Sequence, residues 1–155
     1  MKLMLSLSIS IFFILCVHTI HASQDNSLNA LLGYWKIMDE MSDKPKAIVR
    51  IEEAHNHLFL ARIIKIYSVP SINVKKNKLL PGMIILQHLT KSKIHQYSWT
   101  GGQLYNPNNG KNYLCHIQMR KNGKELIVTN YVNLPLFGRS QTWVKEDILS
   151  RVLAT

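Results

Sequence analysis

From Gly33 onward the apolar residues of this chain recur at every second position, not at intervals of three and four. That period puts neighbouring side chains on opposite faces of an extended backbone, so the chain reads as half-buried strands. In residues 47–52 the set Ala47, Val49 and Ile51 alternates with Ile48, Arg50 and Glu52. In residues 112–119 the set Tyr113, Cys115, Ile117 and Met119 alternates with Leu114, His116 and Gln118. Ile, Val, Tyr and Trp dominate these runs, as a pleated, half-buried surface favours. Between them stand His55-Asn56, Lys91-Ser92, Asn109-Gly110 and Asn122-Gly123. The two Asn-Gly pairs are strong hairpin signals, because both residues tolerate positive φ.

The pattern predicts strands near 34–38, 47–53, 57–67, 83–89, 94–100, 103–106, 112–120, 125–132 and 139–145. Short strands joined by tight turns make a single antiparallel meander. Closing it into a small β-barrel of about eight or nine strands removes the exposed edges. The fold class is all-β. Residues 24–32 suit a helical turn leading in, and 146–155 a short helical tail. The connection 68–82, with Lys75, Lys76 and Lys78, is the expected mobile loop.

The N-terminal segment has a different character. Lys2 precedes residues 3–17 (LMLSLSISIFFILCV), an uncharged apolar run shorter than the ~20 residues a spanning helix needs. A polar transition ending at Ala22 follows, the layout of a secretory signal peptide. The expected organisation is therefore a leader, 1–22, and a barrel domain, 23–155, exported to the periplasm or beyond. Leu15 before Cys16 argues against lipoprotein processing, which prefers a small residue there. Cleavage removes Cys16, one of two cysteines, so Cys115 has no intramolecular partner. It also takes one lysine from a formal net charge of +10, so the basic balance belongs to the barrel.

Signals for chemistry are sparse. His55-x-His57 would present two imidazoles, but no further Cys or Glu gathers beside them as a zinc site requires. Cys115 adjoins His116, yet neighbours on a strand face opposite ways, which denies the thiol its base. The same geometry separates Glu52 from Glu53 and disfavours a glycosidase pair. Lysines at the turns (Lys75, Lys76, Lys91, Lys93, Lys121 and Lys124), with tyrosines between, would suit single-stranded nucleic acid. Export makes an anionic envelope surface the better partner for this charge, and nucleic acid unlikely. No enzyme, metal or cofactor is expected, and the chain is expected to be a monomer.

Two composite motifs carry a resemblance. Trp99-Thr-Gly-Gly102-Gln-Leu-Tyr105-Asn-Pro107-Asn-Asn-Gly110-Lys111-Asn-Tyr113 is followed by Leu136-Phe137-Gly138-Arg139-Ser-Gln141-Thr142-Trp143. With Gly33-Tyr34-Trp35 and residues 45–51, they resemble the exported bacterial family known as domain of unknown function 2147, over about 33–145. The resemblance implies a small periplasmic, lipocalin-like barrel and no established activity. Many members of that family carry a cysteine pair where this chain has 68–82 without cysteine, so no role tied to that pair carries over. Asn106 stands where Asp is common, and Thr129-Asn130 where Arg-Gly precedes the tyrosine at Tyr131.

These segments yield the expected site. Gly101-Gly102 suits a bend or a close strand approach. Gly33-x-Trp35 resembles the lipocalin-type signature, in which a late-strand arginine covers a floor tryptophan. Arg139 is therefore expected to stack on Trp35 or Trp143. Trp35, Tyr97, Trp99, Tyr105, Tyr113, Arg139, Gln141 and Trp143 are the expected cavity-lining or barrel-closing residues. The favoured function is non-enzymatic binding of a small apolar or amphiphilic envelope molecule. The rival is a structural protein with a filled barrel that meets a partner through Pro135-Leu136-Phe137.

Overall fold

A computed structural model describes residues 30–40, 42–67, 79–107, 109–133 and 138–147. The expected leader, the lysine-bearing part of 68–82, Pro135-Leu136-Phe137 and most of the expected tail lie outside these residues. Within them, after a helical turn at Ala30-Leu31, the chain forms eight strands. They are β1 (Gly33–Met38), β2 (Pro45–Glu53), β3 (Phe59–Ile66), β4 (Ile84–Lys91), β5 (Ser98–Asn106), β6 (Lys111–Arg120), β7 (Glu125–Tyr131) and β8 (Arg139–Lys145). Each pairs antiparallel with the next, and β8 returns to β1 with Trp35 opposite Lys145 and Ile37 opposite Trp143. The barrel is closed, so none of the described strands leaves an open edge to recruit another chain.

The expected strands 94–100 and 103–106 are one strand, β5, and residues 92–97 are the loop before it. Gly101-Gly102 looked like a break because two glycines weaken a strand. Here Gly101 sits at φ +73° and absorbs a register shift against β6 between Trp99 and Gly102, so pairing continues through the bulge. Gly102 permits a close approach. A Cβ there would stand 2.8 Å from Cys115 Sγ and 2.8 Å from Leu89 Cδ1.

Alternation decides what fills the barrel. Trp35 and Ile37, Val49 and Ile51, Phe59, Ala61 and Ile63, Cys115, Ile117 and Met119, and Leu126 and Val128 all belong to one buried cluster with Trp99 and Trp143. On β6 the expected faces hold, with Cys115, Ile117 and Met119 buried and Leu114 and Gln118 exposed. Ile48 departs from the pattern. It is fully buried although it lies outside the interior cluster, and its register neighbours are Lys36 and Lys65. Long lysine stems are suited to flank such an apolar side chain.

An antiparallel meander gives the barrel two distinct ends. The β1–β2, β3–β4, β5–β6 and β7–β8 connections share one, called the mouth here. The other, the floor, has the remaining three connections, the entry at Leu32 and the exit at Glu146.

Candidate functional site

The floor is built around Trp35. Its indole N–H donates to the Leu31 carbonyl at 2.9 Å, tying the entering helical turn to β1. Lys145, the last residue of β8, holds its ammonium 4.4 Å from the Trp35 ring centroid. The same ammonium donates to the carbonyls of Leu32 at 2.7 Å and Ala30 at 3.1 Å. Burial lowers the Lys145 pKa from the ordinary lysine value. A similar contact lies on β4 and β5, where Lys91 stands 4.5 Å from the centroid of its register partner Trp99. Each ammonium meets the electron-rich face of an indole, a contact worth about 0.5–2 kcal/mol.

The expected stacking of Arg139 is corrected by this arrangement. Arg139, Gln141, Trp143 and Lys145 do share a face of β8. But Arg139 opens the strand at the mouth, exposed and opposite Asn130, whereas Trp35 lies near the start of β1 at the floor. Antiparallel pairing brings the start of β1 to the end of β8, and the cation there is Lys145. That signal was present in the sequence: the floor cation must be the last of its face, not the first.

Above the floor the interior is filled. Trp35, Phe59, Leu86, Leu89, Trp99, Ile117, Leu126, Val128 and Trp143 have 0% accessible surface. A void the size of a water would expose part of its wall, so none borders these side chains. The indole N–H groups of Trp99 and Trp143 have no acceptor, unlike that of Trp35. At the floor end Met119 keeps 8% of its surface, and at the mouth end Ile37, Ala47 and Leu104 keep 3–8% of theirs. Tyr113, Asn130 and Gln141 follow, all half-buried, with Arg139 exposed at the lip. Register ties them together: Leu104 pairs with Tyr113, Cys115 with Asn130, Val128 with Gln141, and Asn130 with Arg139. Among the described residues the mouth end thus sets side chains able to donate and accept hydrogen bonds beside the apolar interior.

The expected residues therefore divide by place. Tyr113, Gln141 and Arg139 meet at the rim, and Tyr105 at the same end is half-buried against the core cluster. Trp35, Trp99 and Trp143 close the floor half. Tyr97 lies outside the barrel wall, on the loop before β5, and is 49% exposed. Asn130, Lys91 and Lys145 were missed. Tyr113 also borders a small outer cleft of about 270 Å³ with Lys111, Asn112, Leu114, Tyr131 and Val132. The Tyr113 hydroxyl accepts from the Asn109 amide at 2.6 Å.

Burial pushes the Cys115 thiol up to about 12, so the thiolate a nucleophile needs is suppressed at neutral pH. His116 is on the outer face, 6.0 Å from the Tyr131 ring. His57 bonds Glu53 at 2.7 Å, and among the described residues no group of three or more His, Cys, Asp or Glu gathers as metal ligands would.

A family model described as "uncharacterized protein conserved in bacteria" (DUF2147) matches residues 33–145, from the first residue of β1 to the last of β8. The chain belongs to the DUF2147 family. The match spans the whole barrel, so the DUF2147 domain and the closed sheet are the same unit. A solved structure titled as protein HP1028 from Helicobacter pylori, belonging to the lipocalin family, is similar to this DUF2147 chain with a TM-score of 0.59 and 26% sequence identity. The similarity covers 80% of this chain and 88% of that one. No curated protein matches. The lipocalin-like barrel expected for a DUF2147 member is the fold observed.

Proposed function

We propose that the chain is a non-enzymatic binding protein that takes a small apolar or amphiphilic molecule at the mouth of its barrel. The observation carrying this reading is the mouth end of the interior, where Ile37, Ala47 and Leu104 regain a little accessible surface beside the half-buried polar side chains of Tyr113, Asn130 and Gln141. An apolar base with a few polar groups at its edge is the usual make-up of a small-molecule site. The likeness to a structure assigned to the lipocalin family supports the same class. Because the floor half is filled, the ligand is short or enters only by its apolar end. Its polar end meets Tyr113, Asn130, Gln141 and Arg139. The N-terminal segment supports export, and an envelope metabolite or lipid fragment is the fitting ligand.

The test is native mass spectrometry of protein purified from the producing cell, repeated for Leu104→Trp. A ligand carried by the wild type and lost from a folded Leu104→Trp variant supports the mouth site. A bare wild type that binds none of a panel of short fatty acids and alcohols refutes it. That outcome favours a structural barrel, the reading supported by the sealed interior around the three tryptophans.

A further inference from the structure

The floor end presents an outward surface that the mouth reading does not use. Residues 92–97 join β4 to β5, and the Ser92 hydroxyl accepts the backbone N–H groups of Ile94 at 3.3 Å and His95 at 3.2 Å. The Ser92 N–H in turn donates to the Ser98 carbonyl at 2.9 Å, closing the loop. The turn so formed holds Ile94 at its tip with 86% of its surface accessible. A lone exposed aliphatic residue is ordinary, so the surroundings decide its meaning.

Those surroundings are aromatic and cationic. Tyr97, half-exposed, shares the loop, and its carbonyl accepts the Met119 N–H at 2.9 Å, which sets the loop beside the β6–β7 turn. Lys91 stands 5.8 Å from the Tyr97 ring. Lys93 on the loop, and Arg120, Lys121 and Lys124 at the neighbouring turn, are all exposed. Glu125 answers one of them, bonding Lys121 at 2.7 Å.

We propose that this end docks on an anionic phospholipid surface, with Ile94 among the acyl chains, Tyr97 at headgroup level and Lys91, Lys93 and Lys124 against the lipid phosphates. Interfacial binding combines buried apolar surface with attraction to anionic headgroups, and tyrosine favours the boundary between them. A nucleic acid would engage the lysines equally, but its phosphate backbone offers nothing to an aliphatic tip. The charge and the apolar tip together select the bilayer. Docked this way, the protein directs its mouth away from the membrane.

Co-sedimentation of protein from the producing cell with phosphatidylcholine vesicles, with and without phosphatidylglycerol, tests the proposal. Binding is expected only with the anionic lipid, weakening as salt rises. Each of Lys93→Gln and Lys124→Gln lowers partitioning about fivefold, as one lysine near an anionic surface contributes. Ile94→Ser lowers it roughly tenfold by removing the inserting side chain. A retained apolar leader would bind both vesicle types alike and ignore these substitutions, so it is told apart from docking. Orientation is read from an environment-sensitive fluorophore on Ile94→Cys, with Asp43→Cys at the mouth as the comparison, both carrying Cys16→Ser; the buried Cys115 takes no label. A blue shift at position 94 and none at 43 is expected. No binding to anionic vesicles at low salt, equal binding to both vesicle types, or a shift at 43 alone overturns the proposal. So does tighter binding of a single-stranded oligonucleotide than of vesicles through the same lysines.

Discussion

Gly102→Ala tests the close approach of β5 to the barrel interior. The added Cβ would lie 2.8 Å from Cys115 Sγ, 2.8 Å from Leu89 Cδ1 and 3.2 Å from Leu86 Cδ1. Inserting a methyl group into a packed core costs about 1–3 kcal/mol. Gly102 does not hold a positive φ, so alanine also gains about 0.4–1 kcal/mol by restricting the unfolded chain. The net expectation is a loss of roughly 1–2 kcal/mol. Cys115→Ala removes the sulfur that opposes the new methyl and on its own leaves a small cavity costing about 1 kcal/mol. In the double variant each change fills or clears the space the other disturbs. The two should then cost less together than the sum of the singles by about 1 kcal/mol, the size of coupling seen between residues in contact. Urea unfolding followed by tryptophan fluorescence measures all four proteins, because the three tryptophans are buried in the folded state. A neutral Gly102→Ala, or singles that add within about 0.3 kcal/mol, would show that the sheet opens freely here and refute the reasoning.

Lys145→Met keeps the stem over Trp35 but leaves the Ala30 and Leu32 carbonyls without their donor; a loss of about 2–3 kcal/mol in urea unfolding is expected, whereas Arg139→Ala at the exposed lip should cost under about 0.5 kcal/mol. Trp35→Phe should destabilise more than Trp99→Phe by about 1–3 kcal/mol, because only the Trp35 indole loses a hydrogen bond; equal losses would mean that the Leu31 contact contributes nothing. The Cys115 thiol should resist a disulfide reagent at pH 8 until the protein unfolds. Its folded pKa of about 12 lies above the ordinary thiol value of 9.0, so its contribution is complete below pH 9 and is lost as pH rises towards 12. Near pH 10.5 wild type should have lost about 2 kcal/mol more than Cys115→Ala, a comparison in which the oppositely shifted Lys145 cancels. Parallel pH profiles for the two proteins would place the thiol in water.

The legible part of the fold was whatever depends on period alone. Tyr113, Cys115, Ile117 and Met119 declared their face without knowledge of any partner strand, and so did Ala47, Val49 and Ile51. Features set by a second strand were harder to read. Gly101-Gly102 gives the same local signal whether a strand ends or bulges, and pairing with β6 decides for the bulge. Tyr97 looked like a lining aromatic because 94–100 was read as one strand, but the Ser92 turn removes it from the sheet. Ile48 shows the limit from the other side: its face was assigned correctly as outward, and yet it is buried.

The cation at Trp35 locates the difficulty most sharply. A late strand that closes a barrel against the first strand fixes two things, the face and the end. Face is local and can be read from alternation, which places Arg139 and Lys145 on the face of Trp143. End follows from strand direction, and once an antiparallel closure is assumed the floor partner of Trp35 must lie at the C-terminal end of β8. A lysine there has a physical consequence an arginine would lack. Its point charge donates to two carbonyls while resting on the ring, but it yields its proton more readily when buried, and burial does lower its pKa. Lys145→Arg would keep a permanent charge at the seam and must fit a wider, planar group between Ala30, Leu32 and Trp35. If the seam is built for a point charge, Lys145→Arg should be less stable than wild type at pH 7. If it is built only for positive charge near an indole, the two should be equal in urea unfolding. The two-carbonyl geometry argues for the first result.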